Sequence, residues 1–459
     1  GGRSGCDHGP MDLPVVPPVA PMLAKTAAVV PRQPAEAPPA ARPARDLTVD
    51  LLRAIAIVAV AVGHWLVVVP SYADHRFDGV NALETVPAMR PLTWVFQVMP
   101  LFFVVGGVAN AASWAGARRR GETYATWLRS RLVRLVRPAA WFFAVAAGLA
   151  AALRAAGLTE QVVAPVAWLV VVPVWFLSVY VMVVAIAPPL WRLHRRHGTR
   201  VVVALTVAAV AVDAVRLAGY EAVGYLNFLL VFGVAQQLGF AWYDGRLLRF
   251  RDTAWALLVG GLGALWLLTH VGPYPVSLVG YPGPELDNNA PPTITLIALG
   301  VAQTGLALVL RPWLQRAMTL RPVQAFTLAL NRNAMTVLLW HFTALVLVAV
   351  VALPLGLVPD HEWGTAAWWW TRVVLLPVYA LALVPLVALA GRVERDPGNG
   401  PPRPWRSWAP VVAVPVLAVA FGLITLGGLS GPGPLGVPVA SVALFGGGSA
   451  LALSGRPDA

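Results

Sequence analysis

Cysteine and lysine are almost missing from this chain. Cys6 is the only cysteine, which excludes an intrachain disulfide, a thiolate zinc cluster and a cysteine redox pair. Lys25 is the only lysine, so 33 of the 34 basic residues are arginine (34 − 1 = 33). Charge of either sign is scarce, at 12% of 459 residues against 58% hydrophobic. Mean hydropathy is +0.69. This balance excludes an ordinary soluble protein and predicts a polytopic membrane protein. His-Glu-x-x-His spacing and a phosphate-cradling P-loop are also absent, so no metal site or bound cofactor is expected. The net charge of +13 would suit nucleic acid. The arginines instead fall in short clusters between apolar segments, where membrane topology requires them, so no nucleic-acid partner is expected.

What is present is a series of apolar segments, each judged against the roughly 20 residues needed to cross a bilayer. They lie near 47–69, 93–114, 138–154, 163–190, 200–218, 225–243, 254–271, 293–310, 332–353, 366–390, 409–428 and 434–453. The third is short. The fourth is long and carries Pro165, Pro173, Pro188 and Pro189, and the last contains Gly446, Gly447 and Gly448. Arginines crowd alternate connections. Arg118 to Arg120, Arg129, Arg131, Arg134 and Arg137 follow the second segment, and Arg192, Arg195, Arg196 and Arg200 follow the fourth. The pattern repeats after the sixth, eighth and tenth, whereas residues 271–292 and 353–366 contain no Arg or Lys. The alternation predicts an all-α protein of about 10–12 transmembrane helices with both termini inside. Residues 1–45, rich in Pro and Ala, are expected to be a disordered cytoplasmic tail. Residues 46–390 then form the membrane domain, and 391–459 a cytoplasmic linker, one or two further helices and a short tail.

The first helix carries the most informative pair. Arg53 and His64 are eleven residues apart in DLLRAIAIVAVAVGHWLVVV. Eleven residues make about three turns, placing both side chains on one face roughly 16 Å apart. Asp50 and Ile57 share that stripe, and Asp50 and Arg53 have the i,i+3 spacing of an ion pair. A cation and an imidazole are costly in lipid, so they are expected to face protein or a wet cavity. The plain reading is a snorkelling arginine and a histidine that bonds a neighbouring helix.

Several blocks resemble the acyltransferase-3 family of bacterial membrane acyltransferases, over roughly residues 46–390. TVDLLRAIAIVAVAVGHW looks like the family's first helix, with Asp50, Arg53 and His64 at the matching places, and VMPLFFVVGGVANAASW looks like its second. RSRLVRLVRP, VWFLSVYVM and LNRNAMTVLLWHF resemble later blocks in the same order. The family usually has a Ser-Gly pair where this chain has Gly106 and Gly107, so any role of that serine has no counterpart here. The resemblance implies O-acylation of a sugar, cell-surface polymer, lipid or metabolite, in a bacterial cytoplasmic membrane.

Acyl-CoA would be the donor substrate, with a hydroxyl-bearing glycan, lipid or metabolite as acceptor and membrane lipids as surroundings. Phosphates on the donor need cations that stay charged, and arginine can grip phosphate bidentately. Arg131, Arg134 and Arg137 repeat at i,i+3,i+6 as a basic face and are candidates, with topological anchoring as the plain alternative. Acyl transfer to an alcohol needs a base for the hydroxyl proton, and His64 fits as that base or as a transient acyl carrier. Arg53 is expected to contact the donor or to set the first helix through Asp50. Trp175, which follows Pro173 where a kink can open a cavity, Asn333 and His341 complete the candidates for substrate contact. A structural role is as reasonable for Asn333, since Asn commonly bonds helix to helix in membranes. His270, Glu285 and Asp287 surround a Pro/Gly-rich outer loop that is expected to border the acceptor entrance. A transporter or flippase of similar helix count is the rival reading, although the matched broken helices of an internal repeat are not evident.

Overall fold

A computed structural model describes residues 46–73, 76–284, 286–395, 406–430 and 438–455. The tail assigned to residues 1–45, together with Cys6 and Glu285, lies outside them. Sixteen α-helices occur among the described residues, and ten helical stretches are long and apolar enough to cross a membrane. α1 spans Leu47–Val67 and begins with Asp46, whose carboxylate accepts from the Thr48 N–H at 3.0 Å. That cap satisfies one of the orphan donors of the first turn. Pro70 stands just beyond the last turn. The chain then forms an antiparallel hairpin, β1 (Val68–Ala73) and β2 (Arg76–Asn81), which hydropathy alone reads as helix end and loop.

Short helices α2 (Ala82–Thr85) and α3 (Thr93–Phe96) lead into α4 (Met99–Arg119). α5 runs Tyr124–Ala155, so the arginine-rich segment is one continuous helix with the apolar segment after it. The sequence placed its start fourteen residues later. The long fourth segment is broken: α6 (Glu160–Val171) gives way to a 3-10 turn at Val172–Val174, then to α7 (Trp175–His197). Pro173 sits in that turn, where a residue without an N–H interrupts the helical ladder. α8 (Arg200–Leu217) and α16 (Val439–Leu453) fall outside the ten. α8 carries Arg200, Asp213 and Arg216, and α16 has only 15 residues.

The remaining helices are α9 (Asn227–Tyr243), α10 (Arg251–His270), α11 (Ile294–Ala317), α12 (Arg321–Arg332), α13 (Ala334–Ala352), α14 (Ala366–Arg395) and α15 (Ala409–Gly427). Small residues bring several pairs close, as expected where lipid removes the hydrophobic drive between helices. α4 meets α9 at Gly107 and Gly239, where a Cβ on Gly107 would strike the Gln236 backbone and one on Gly239 the Val104 carbonyl. α10 meets α11 through Gly261 and Gly305 in the same way. Gly106 has open space at its Cβ, so nothing steric excludes the serine usual there.

The loop between α10 and α11 is held by buried polar groups. The Asp213 carboxylate accepts from Asn227 Nδ2 at 2.7 Å, the Tyr274 hydroxyl at 3.0 Å and the Ile294 N–H at 2.9 Å. Arg216 donates to the Asp287 and Pro291 carbonyls at 3.2 and 3.1 Å. Burial and the neighbouring Asp213 push the Tyr274 phenol up, and burial raises the Asp287 carboxyl. These contacts fix a loop that supplies part of the site wall.

Candidate active site

α1 packs on α13, and two histidines meet across that contact. His64 Nδ1 lies 2.8 Å from His341 Nε2, with the rings inclined by only 11°. His341 Nδ1 lies 2.9 Å from the Leu338 carbonyl oxygen, one turn back in its own helix. A carbonyl oxygen only accepts, so Nδ1 of His341 carries the hydrogen. In the neutral ring Nε2 is then the lone-pair nitrogen, and the hydrogen between the rings belongs to His64 Nδ1. By elimination, neutral His64 keeps its lone pair on Nε2. Beside this pair, Trp65 donates from Nε1 to the His341 carbonyl at 2.9 Å, and the Phe342 ring stacks on His64 at 4.9 Å. Three contacts thus fix the rotation of α1 against α13 at one level.

His64 lines a cavity of about 100 Å³. Trp175 and Phe176 enter it from the start of α7, with Pro173 beside them, so the break in the fourth segment opens onto the same space. Leu83, Met89, Thr93, Phe96 and Gln97 come from the segment before α4, and Val279 and Asn289 from the loop before α11. The sequence brought forward His64, His341 and Trp175 separately; the structure unites them. It did not bring forward Gln97, Asn289 or Phe342. Phe342 follows His341 directly, so only the rotation of α13 reveals it.

A second cluster forms toward the other end of α1. Arg131 lies within electrostatic reach of Arg134 on its own helix, of Arg53 on α1 and of Tyr180 on α7. Its Nη2 reaches the Ala109 carbonyl at 3.4 Å, its guanidinium sits 5.7 Å from the Trp127 ring, and its Nε is buried without a hydrogen-bond partner. No ion pair joins Arg53 or Arg134 to a carboxylate among the described residues. The Asp50–Arg53 pair suggested by spacing is therefore not formed. Asp50 is buried, and its carbonyl accepts from Asn331 Nδ2 at 2.9 Å. Arg137 is exposed and acts electrostatically on Arg129.

Asn333 stands at the break between α12 and α13, where its Nδ2 donates to the Ala329 carbonyl at 2.8 Å. Eight residues, about 12 Å of helix, separate it from His341. Its place is a helix junction apart from the cavity. Next to it, Glu394 of α14 accepts from the N–H groups of Met335 and Thr336 at 2.9 and 2.8 Å and from the Thr336 hydroxyl at 2.7 Å. A carboxylate at a helix N-terminus meets both orphan donors and the dipole. His270 stacks on Trp266 with centroids 5.3 Å apart and meets the Trp94 edge at 6.3 Å, outside the cavity wall. Among the described residues no group of three or more His, Cys, Asp or Glu is arranged to hold a metal ion.

A family model described as an acyltransferase domain, the third of its name, matches residues 46–392. The match covers more than half of the chain and begins at the residue that caps α1. No curated protein and no solved structure matches the chain.

Proposed function

Since this chain belongs to the acyltransferase-3 family and is a multi-pass membrane protein, we propose that it moves an acyl group from cytoplasmic acyl-CoA to a hydroxyl of a glycan, lipid-linked sugar or metabolite. The observation that carries the reading is the histidine pair: His341 is committed to a carbonyl and aligns His64, whose remaining nitrogen is free to act as a base. In the transfer step, Nε2 of His64 takes the hydroxyl proton as the acceptor oxygen attacks the thioester carbonyl. The carbon–sulfur bond breaks, and the CoA thiolate leaves with the proton that His64 returns. His341 stabilises the imidazolium by accepting its Nδ1–H, the part an orienting carboxylate plays in a hydrolase triad.

Donor placement is supported by distance and charge. Arg53, Arg131 and Arg134 gather cations that have no carboxylate partner among the described residues, which suits a polyanion such as the phosphates of CoA. Arg53 and His64 are separated by about 16 Å of helix, a span comparable with an extended pantetheine arm. With the arginine-rich connections inside, the phosphates stay in the cytoplasm while the thioester reaches His64. The test is transfer from labelled acyl-CoA to a panel of hydroxyl acceptors by the purified protein in lipid discs. Acceptor labelling that requires His64 is expected; the absence of both transfer and CoA binding overturns the reading.

A further inference from the structure

The cavity beside His64 is built almost wholly of hydrocarbon. Val60, Leu66, Met99, Phe102, Phe176 and Leu338 supply much of its wall. Its polar groups other than His64 are Thr93, Gln97, Asn289 and the indole N–H of Trp175, and the first three take part in holding the wall together. The Thr93 hydroxyl donates to the Arg90 carbonyl at 2.6 Å and accepts from the Leu278 N–H at 2.9 Å. Gln97 Nε2 donates to the Leu278 carbonyl at 3.1 Å and to Asn289 Oδ1 at 2.9 Å, while its Oε1 accepts from the Met99 N–H at 3.3 Å. A sugar ring placed here would give up water at each hydroxyl and find few groups to replace it. A hydrocarbon guest would lose nothing by entering and would gain contact with every wall.

We propose that this cavity receives the acyl chain of the donor and favours a short one, of about four carbons. The inference rests on the acyltransferase reading above and adds the class of acyl group. The length follows from volume. A cavity of about 150 Å³ holds a benzene ring, so about 100 Å³ holds roughly four carbons in proportion. The carbonyl then lies at His64, and only the reacting hydroxyl of the acceptor has to reach that nitrogen. One side of the wall is braced by aromatic contacts. Phe102 meets Phe176 edge to face at 5.1 Å, and Phe176 in turn packs on Tyr180 at 5.4 Å and Phe103 at 5.9 Å. Gly63 closes another side: a Cβ there would stand 3.1 Å from the Phe96 Cβ, so bare backbone beside His64 lets Phe96 come in close.

Equilibrium binding to the full chain in lipid discs tests this without relying on turnover. The ligands are free CoA and its acetyl, butyryl, octanoyl and palmitoyl thioesters. Affinity should rise from CoA to butyryl-CoA, by up to about threefold to fourfold for each methylene buried. Octanoyl-CoA and palmitoyl-CoA should bind no more tightly than butyryl-CoA. Phe102→Ala should move the optimum toward octanoyl-CoA with free CoA affinity unchanged, and Met99→Ala gives a second, milder enlargement should the first fail to fold. CoA binding that ignores acyl length, or climbs steadily to palmitoyl, overturns the acyl pocket and leaves the acyltransferase reading standing. A length profile unmoved in both folded variants overturns the pocket as well. Loss of all CoA binding in the native protein overturns both.

Discussion

Nδ1 of His64 and Nε2 of His341 stand 2.8 Å apart across 277 residues of chain, and the hydrogen between them belongs to His64. The direction follows from the Leu338 carbonyl, which leaves His341 no choice of tautomer. One histidine therefore orients the other, and the two are expected to behave differently on substitution.

His64→Ala should lower acyl transfer by at least roughly 10²-fold, the lower end of what a proton-transfer group contributes. Acyl-CoA binding should be largely kept, because the arginine cluster lies about three helical turns away. Transfer near the native rate in the folded variant would remove His64 from the mechanism.

His341 is a positioning residue, and its signature is a split between rate and binding. His341→Ala should lower kcat by about 10²-fold while leaving KM for acyl-CoA nearly unchanged. His341→Gln, whose side-chain oxygen can accept the His64 Nδ1–H, should recover part of that loss. Equal kcat values for the two variants would argue that the 2.8 Å contact only packs α1 on α13.

Replacing Arg131 and Arg134 together with Gln should weaken acyl-CoA binding, since Gln offers no charge to phosphate. The loss should shrink as salt is raised, because screening reduces the native attraction. Unchanged affinity in the folded protein would reduce the two arginines to topological anchors.

Topology can be read by thiol labelling after Cys6 is replaced by Ser. Cysteine at Pro282, exposed in the arginine-free loop before α11, should react with an impermeant reagent in intact cells. Cysteine at Arg119, exposed at the end of α4, should not. The reverse labelling would invert the proposed orientation and place the arginine cluster on the wrong side for CoA.

Gly106 and Gly107 should part company in stability. Gly107→Ala drives a methyl into the Gln236 backbone and should cost about 1–3 kcal/mol, seen as a lower unfolding temperature. Gly106→Ser enters open space and should change stability by less than about 0.5 kcal/mol. Equal unfolding temperatures would mean that α4 and α9 can separate without cost.

The sequence by itself determined the all-α membrane class, the family and the rough positions of the ten long apolar stretches within its twelve apolar segments, because these depend on local quantities. Transfer of an apolar segment into lipid and the placing of arginine at its ends are properties of some twenty neighbouring residues. His64 and Arg53 could be singled out for the same reason, as polar groups in one apolar helix. The hairpin at 68–81 and the early start of α5 were not legible, since apolar strand ends and arginine-bearing helix turns give weak hydropathy signals. Only the tertiary structure decided that no ion pair among the described residues joins Arg53 to Asp50, that Asn333 holds a helix junction, and that His341 meets His64. Spacing fixes which residues share a face of one helix, but the rotation of α1 against α13 is set by packing between distant segments, through Trp65, Phe342 and the Leu338 carbonyl.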